Sequence, residues 1–383
     1  MVVSLRGRLV YTGETVLEDA YVSWDENGIT DVGREPQGEV LGTYEVITPA
    51  FVDPHCHVGL IRSGEPQAEA EANDKMDPML AHADVLDSVQ MDDDAFAGSI
   101  EAGVLYSCVL PGSGNIIGGQ SALIRNYGQD TNSALIQRAG IKAAFGYNPM
   151  GTRDWKGTRP WTRMGALAIL RAKLHEVRAK MAKEEAKEDA DVTYTAEEAV
   201  LKALLTGEER LRVHVHKSDD VAALLRFVDE YGLKVTVEHT CDVHEEATYK
   251  ELAKRGIPVV YGPMDSLPYK VELKHEEWRN IKYLIASGVT YGLMTDHPVV
   301  MQQGLLLQLR WFLRAGLSKQ EALEIITRKN AEIVGLGDTV GTLAPGKWAS
   351  CVCWNGDPFS LASHPTAVYA EGERIFAEDG DEA

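Results

Sequence analysis

The sequence predicts an α/β protein in which a (β/α)8 barrel is joined to a small β-sandwich built by both chain ends. Three observations carry this reading. Eight apolar, strand-like runs follow one another between residues 47 and 295, and helical stretches alternate with them, as in a parallel sheet. Eight strands over roughly 300 residues suit a closed barrel. The segments before and after this region carry short strands and turn signals but no helical period.

The chain divides into residues 1–48, 49–340 and 341–383. The first segment has strands over Leu5–Tyr11, Tyr21–Trp24 and Glu45–Ile47, with Asp25-Glu26-Asn27-Gly28 as a turn. It is too thin to bury a core alone. Its simplest partner is the last segment, where Gly341-Thr342-Leu343-Ala344-Pro345-Gly346-Lys347 leads into a strand over Ala349–Trp354. Ala367–Ala370 and Arg374–Ala377 then flank a hairpin turn. The barrel strands are expected at Ile47–Val52, Val104–Leu110, Ser121–Asn126, Ile141–Phe145, Arg212–His216, Lys234–His239, Pro258–Tyr261 and Thr290–Thr295. Helices with apolar residues at three- and four-residue steps, such as Val221-Leu224-Leu225-Val228, lie between the later strands. Two segments break the rhythm. Residues 58–94 form a long Asp/Glu/Gly/Pro-rich connection, the kind that walls or covers a site. Residues 166–206 read as a solvated helical insertion with i,i+4 ion pairs.

Composition narrows the function classes. The 38 Lys and Arg against 58 Asp and Glu leave a net charge of −20, which argues against nucleic-acid and anionic-membrane partners. No apolar run approaches the roughly 20 residues needed to span a bilayer, and no apolar segment of signal-peptide type follows the start. The five cysteines are scattered, so a reducing, cytoplasmic setting without disulfides is expected. Cys351 and Cys353 read as small buried hydrophobes.

The strand ends carry the chemistry. Alternate residues of an extended chain point the same way, so His55 and His57 aim at one point beyond the first strand. The fifth strand ends in His214 and His216, the sixth in His239, and the eighth in Asp296-His297. Barrel active sites lie at these C-terminal ends. Three or four imidazoles and a carboxylate there suit a divalent cation, zinc first with iron or manganese as alternatives. Such an ion lowers the pKa of bound water to about 7. Asp296 beside it can orient the hydroxide and shuttle its proton to a leaving group. The target is a trigonal carbon in a small molecule, an amide, cyclic amide, amidine or ester. By spacing, His214 or His216 serves equally as the fifth-strand ligand. Asn115 and Gln120, in the Gly-rich stretch 112–120, are expected to shape the pocket, and Arg153, Arg159 or Arg163 to clamp a substrate carboxylate. Asp77 and His82 stand in the long loop as lid candidates.

These motifs, taken in order, resemble the amidohydrolase superfamily and in particular its imidazolonepropionase-like branch. They are Pro54-His55-Cys56-His57, Pro111-Gly112-Ser113-Gly114-Asn115 through Gln120, Val213-His214-Val215-His216, Val237-Glu238-His239, Thr295-Asp296-His297-Pro298 and the Gly341–Lys347 turn. The resemblance implies metal ligation by His55, His57, His214, His239 and Asp296, with Asp296 and His239 catalytic and His216 and His297 facing substrate. It also implies a carboxylated lysine or a glutamate as bridge in two-metal members. Lys142 is the only lysine placed for that, but it precedes Ala143-Ala144-Phe145 and is expected too deep, and Tyr147 stands where relatives often carry a glutamate. One ion is therefore favoured over two. Self-association is implied as well, such relatives often being dimers or larger. The expected activity is hydrolysis of a non-peptide C–N bond. The alternatives are deamination of an aminated heterocycle and a non-catalytic metal-binding barrel.

Overall fold

The computed structural model describes residues 1–150, 155–186 and 192–378. Its strands are β1 (Val3–Tyr11), β2 (Val16–Asp25), β3 (Gly28–Gly33), β4 (Glu39–Pro49), β5 (Phe51–Cys56), β6 (Val104–Val109), β7 (Ile117–Arg125), β8 (Leu135–Ala144), β9 (Leu211–Val215), β10 (Val235–His239), β11 (Val259–Tyr261), β12 (Tyr291–Leu293), β13 (Cys351–Trp354), β14 (Pro365–Ala370) and β15 (Glu373–Ala377).

The strands at the two chain ends share one seven-stranded sheet, ordered β15-β14-β13-β4-β1-β2-β3. It is continuous and curled. Trp24 on β2 meets Tyr369 on β14 edge-on, with ring centroids 5.6 Å apart. One face buries Leu5, Val10, Val22, Ile47, Cys351 and Cys353 together. The β14–β15 hairpin turns through Glu371 and Gly372, both at positive φ (50° and 91°), as in two-residue turns that match strand twist.

The second sheet holds eight strands in sequence order from β5 to β12. It departs from an all-parallel barrel at β7, which runs antiparallel to both β6 and β8. The reason is connection length. Residues 110–116 between β6 and β7 are too few for a crossover helix, which takes a dozen or more, so the chain returns as a hairpin. The first expected strand is also divided. Ile47 pairs in the curled sheet and Phe51 in the barrel, and the chain passes between the sheets at Ala50. A single buried apolar run gives no sign of that handover.

Backbone bonds close the barrel at its upper rim, where Asp296 N donates to His55 O (3.1 Å) and His57 N to His297 O (3.0 Å). Lower down, the Asn330 amide bridges the same gap. It donates to Val52 O (2.7 Å) and Leu293 O (2.8 Å) and accepts from Leu293 N (2.9 Å). Gly292 makes room for it, since a Cβ there would overlap Asn330 Oδ1. Gly292→Ala is therefore expected to cost about 1–3 kcal/mol through overpacking, measured as a lower urea midpoint at unchanged m-value.

Outside the barrel, a helix over Arg163–Ala186 packs Leu170, Leu174 and Val177 inward. Its lysines pair with a second helix, Ala196–Thr206, through Lys173–Glu197 (3.2 Å) and Lys180–Glu198 (2.7 Å). These ion pairs join two helices, where i,i+4 pairs along one helix were expected. All five cysteines are buried and unpaired. Among the described residues no helix is long and apolar enough to cross a membrane.

Candidate active site

Four imidazoles converge at the upper end of the barrel, and each is oriented through Nδ1. His55 Nδ1 donates to Glu238 Oε2 (3.0 Å), His57 Nδ1 to Leu110 O (2.7 Å) and His239 Nδ1 to Gly262 O (3.0 Å), while His214 Nδ1 meets Ser113 Oγ (2.9 Å). A ring nitrogen that donates to a carbonyl or carboxylate leaves Nε2 as a bare lone pair. Two of these lone pairs face one carboxylate oxygen, with Asp296 Oδ1 lying 3.4 Å from His55 Nε2 and 3.1 Å from His57 Nε2. A third, His239 Nε2, is buried without a hydrogen-bond partner, and so is His214 Nε2. Acceptors set against acceptors in a largely buried site are stabilised by a cation between them. The donor set thus fits a divalent metal ion. Its ligand atoms form two groups, His55/His57/Asp296 and His214/His216/His239, each within 4.8 Å internally.

Electrostatics agree with this. Burial lowers the pKa of His57 and holds His214 and His239 well below the usual imidazole value. It pushes His216 and His297 down to about 4. Neutral rings are what a metal binds. Burial would raise the Asp296 carboxyl, but His239, His55 and His57 together hold it well below the usual range. Asp296 has φ 50° and His239 φ 77°, left-handed conformations uncommon for non-glycine residues. The turn at His239 breaks strand alternation, so both Glu238 and His239 reach His55.

Lys142 is not too deep. Its Nζ lies 3.3 Å from His55 Nε2 and 3.1 Å from Pro111 O, fully buried, and burial lowers its pKa to about 8 despite Asp296 and Glu238. The expectation failed because a lysine side chain is long: from within β8 its Nζ still reaches His55 Nε2 and Pro111 O.

The remaining expected substrate contacts divide. His216 and His297 are buried beside the centre, with His216 Nδ1 and His297 Nε2 lacking partners. Asn115 instead ties the long loop, donating to Asp74 O (3.0 Å) and Asp77 O (2.7 Å). Gln120 donates to His82 O (3.4 Å), and Asp77 caps Met79 N (2.9 Å). Arg163 grips Asp220 through Nε (2.7 Å) and Nη2 (3.2 Å). Arg159 donates to the carbonyls of Gly114 and Pro149. Arg153 lies outside the described residues. A cavity of about 1290 Å³ opens onto His57, His214 and Asp296, walled by the loop after β5 and the loop after β11.

Sequence reasoning missed three residues. Arg212 and Glu238 form a buried ion pair (Nε–Oε1 2.9 Å) behind His55, and Glu272 places Oε1 3.7 Å from His214 Nε2 while Oε2 accepts from Tyr147 N. An arginine and a glutamate inside otherwise apolar strands were a readable sign for the pair. Glu272 had none, since it arrives on a loop.

The amidohydrolase family model matches residues 150–377. The crystal structure of an amidohydrolase from Thermotoga maritima MSB8 superposes with a TM-score of 0.91 at 31% identity, over 98% of this chain and 100% of that one. Amidohydrolase tasK of Hapsidospora irregularis is 25% identical over 97% of this chain and 43% of its own length. A 5-methylthioadenosine/S-adenosylhomocysteine deaminase of Desulforudis audaxviator is 29% identical over 42% of each. The chain thus spans less than half the length of the curated relatives it matches. With the match covering more than half of the residues and the whole barrel superposing on a family structure, this chain belongs to the amidohydrolase family.

Proposed function

We propose that the protein hydrolyses a C–N bond of a small, anionic molecule with two divalent ions, zinc in the first place. The observation that carries the reading is the set of Nε2 lone pairs, each fixed through its own Nδ1, around Asp296. His55, His57 and Asp296 would hold one ion, and His214 and His239 the other. Lys142 Nζ lies beside the first group, 3.3 Å from His55 Nε2. Its amine, whose pKa burial lowers to about 8, can add to carbon dioxide with loss of a proton, and the resulting carbamate would join the residues that hold the ions. This replaces the one-ion expectation. When bound, divalent ions there would supply a hydroxide at neutral pH and polarise the bond under attack. Asp296 accepts the proton of the attacking water and returns it to the departing nitrogen. His216 and His297 keep unpaired nitrogens for the substrate side. Lys75, Lys156 and Lys270 line the cavity of an otherwise acidic chain, which favours a carboxylate- or phosphate-bearing substrate.

Elemental analysis tests the metal reading. Two ions per chain are expected in the natural protein, and at most one in Lys142→Gln with turnover lost. An unchanged ion count in Lys142→Gln would remove the bridge, and no uptake of metal at all would remove the hydrolase. The similarity to a deaminase favours one second reading, in which ammonia leaves an aminated heterocycle. Ammonia release from such compounds, with no cleavage of carboxylated amides, would establish it instead.

A further inference from the structure

A second histidine–carboxylate cluster lies away from the barrel centre. The segment after β10 carries Asp242 and His244, and the loop after β11 carries His275. Asp242 is 1% exposed, yet no lysine or arginine pairs with it among the described residues. Its Oδ1 accepts the backbone N–H of His275, and its Oδ2 is 3.3 Å from His275 Nδ1. His244 donates Nδ1 to Asp242 O (2.8 Å), which leaves its Nε2 as a lone pair. The two rings lie side by side, with centroids 4.4 Å apart, and both are open to solvent. One ligand atom from each of the three residues lies within 4.8 Å of the others. Next to them, Glu276 Oε2 is buried without a partner.

We propose that Asp242, His244 and His275 form a binding site for a further divalent transition-metal ion, separate from the barrel centre. Two imidazoles and one carboxylate are a donor set for zinc rather than for calcium or magnesium, which take oxygen ligands. Glu276 or water completes four-coordination. The partners of the buried Asp242 carboxylate are a backbone N–H and the His275 ring, neither a fixed positive charge, and the ion supplies one. The exposed rings turn into place without disturbing the core. The ion also joins two loops. The loop after β11 brings Lys270 to the cavity wall and Glu272 to His214. Occupancy of the outer site therefore orders one wall of the cavity.

The experiment strips the full chain of metal, reloads it with Zn2+ and counts bound equivalents against the double variant His244→Gln/His275→Gln. Both replaced rings are exposed, so the fold is expected to hold, and melting of the metal-free forms checks it. The natural protein should bind one equivalent more than the variant. Hydrogen exchange over residues 264–276 should slow on Zn2+ addition in the natural protein and not in the variant. Equal stoichiometry in the two proteins overturns the site, whatever the count in the barrel centre. A lost equivalent without the exchange difference keeps the site and overturns its role in ordering the loop.

Discussion

Asp296→Asn is expected to lower kcat by about 10³–10⁴-fold, or 4–5.5 kcal/mol of transition-state stabilisation, with KM little changed. The carboxylate lies directly against the lone pairs of His55 and His57, and His239, His55 and His57 hold it ionised against burial, so it can take the proton of an attacking water. Asparagine is the informative replacement. The position has φ 50°, which Asn tolerates better than most residues. The backbone bond from residue 296 to His55 O, which closes the barrel, stays in place. A loss of turnover with unchanged melting temperature would therefore report chemistry. Steady-state kinetics on any substrate that is turned over, alongside metal content, make the measurement. A kcat within threefold of the natural value would take Asp296 out of the mechanism.

The second large effect concerns stability. Arg212→Met is expected to destabilise the fold by about 3–5 kcal/mol, because it strands Glu238 as a buried unpaired charge. Arg212 does more than pair, since its Nη2 also donates to Pro54 O (2.7 Å) and so pins the segment that presents His55. Glu238→Gln should act differently. It leaves the positive charge near Pro54 and weakens the hold on His55 Nδ1, so metal affinity should fall about 10–100-fold while much of the stability remains. The double variant should cost less than the sum of the singles, since residues in one buried pair couple strongly. Denaturant titrations of the three variants measure this. A cost below about 1 kcal/mol for Arg212→Met would show that the ion pair is not what holds His55 in place.

What the sequence by itself determined was local. Strand periodicity and the residues at strand ends are chain-adjacent properties, and they marked His55, His57, His214 or His216, His239 and Asp296 as candidates, with the family resemblance favouring His214 over His216. The barrel rule then placed them on one face without further information. The pairing of both chain ends was legible for a similar reason, since neither β segment could bury its apolar face alone.

The tertiary structure decided what depends on distance through space. The direction of β7 followed from a connection too short for a crossover. The reach of Lys142 depends on where the fold sets His55 above it, and the approach of Glu272 to His214 on a loop distant in sequence. Arg163 reads in sequence as a free cation, but its guanidinium is already held by Asp220, which lies 57 residues away. A charged side chain in a sequence carries no record of its partner. Its chemistry is settled by which counter-charge the fold brings within hydrogen-bonding range, because burial makes an unpaired charge too costly to keep.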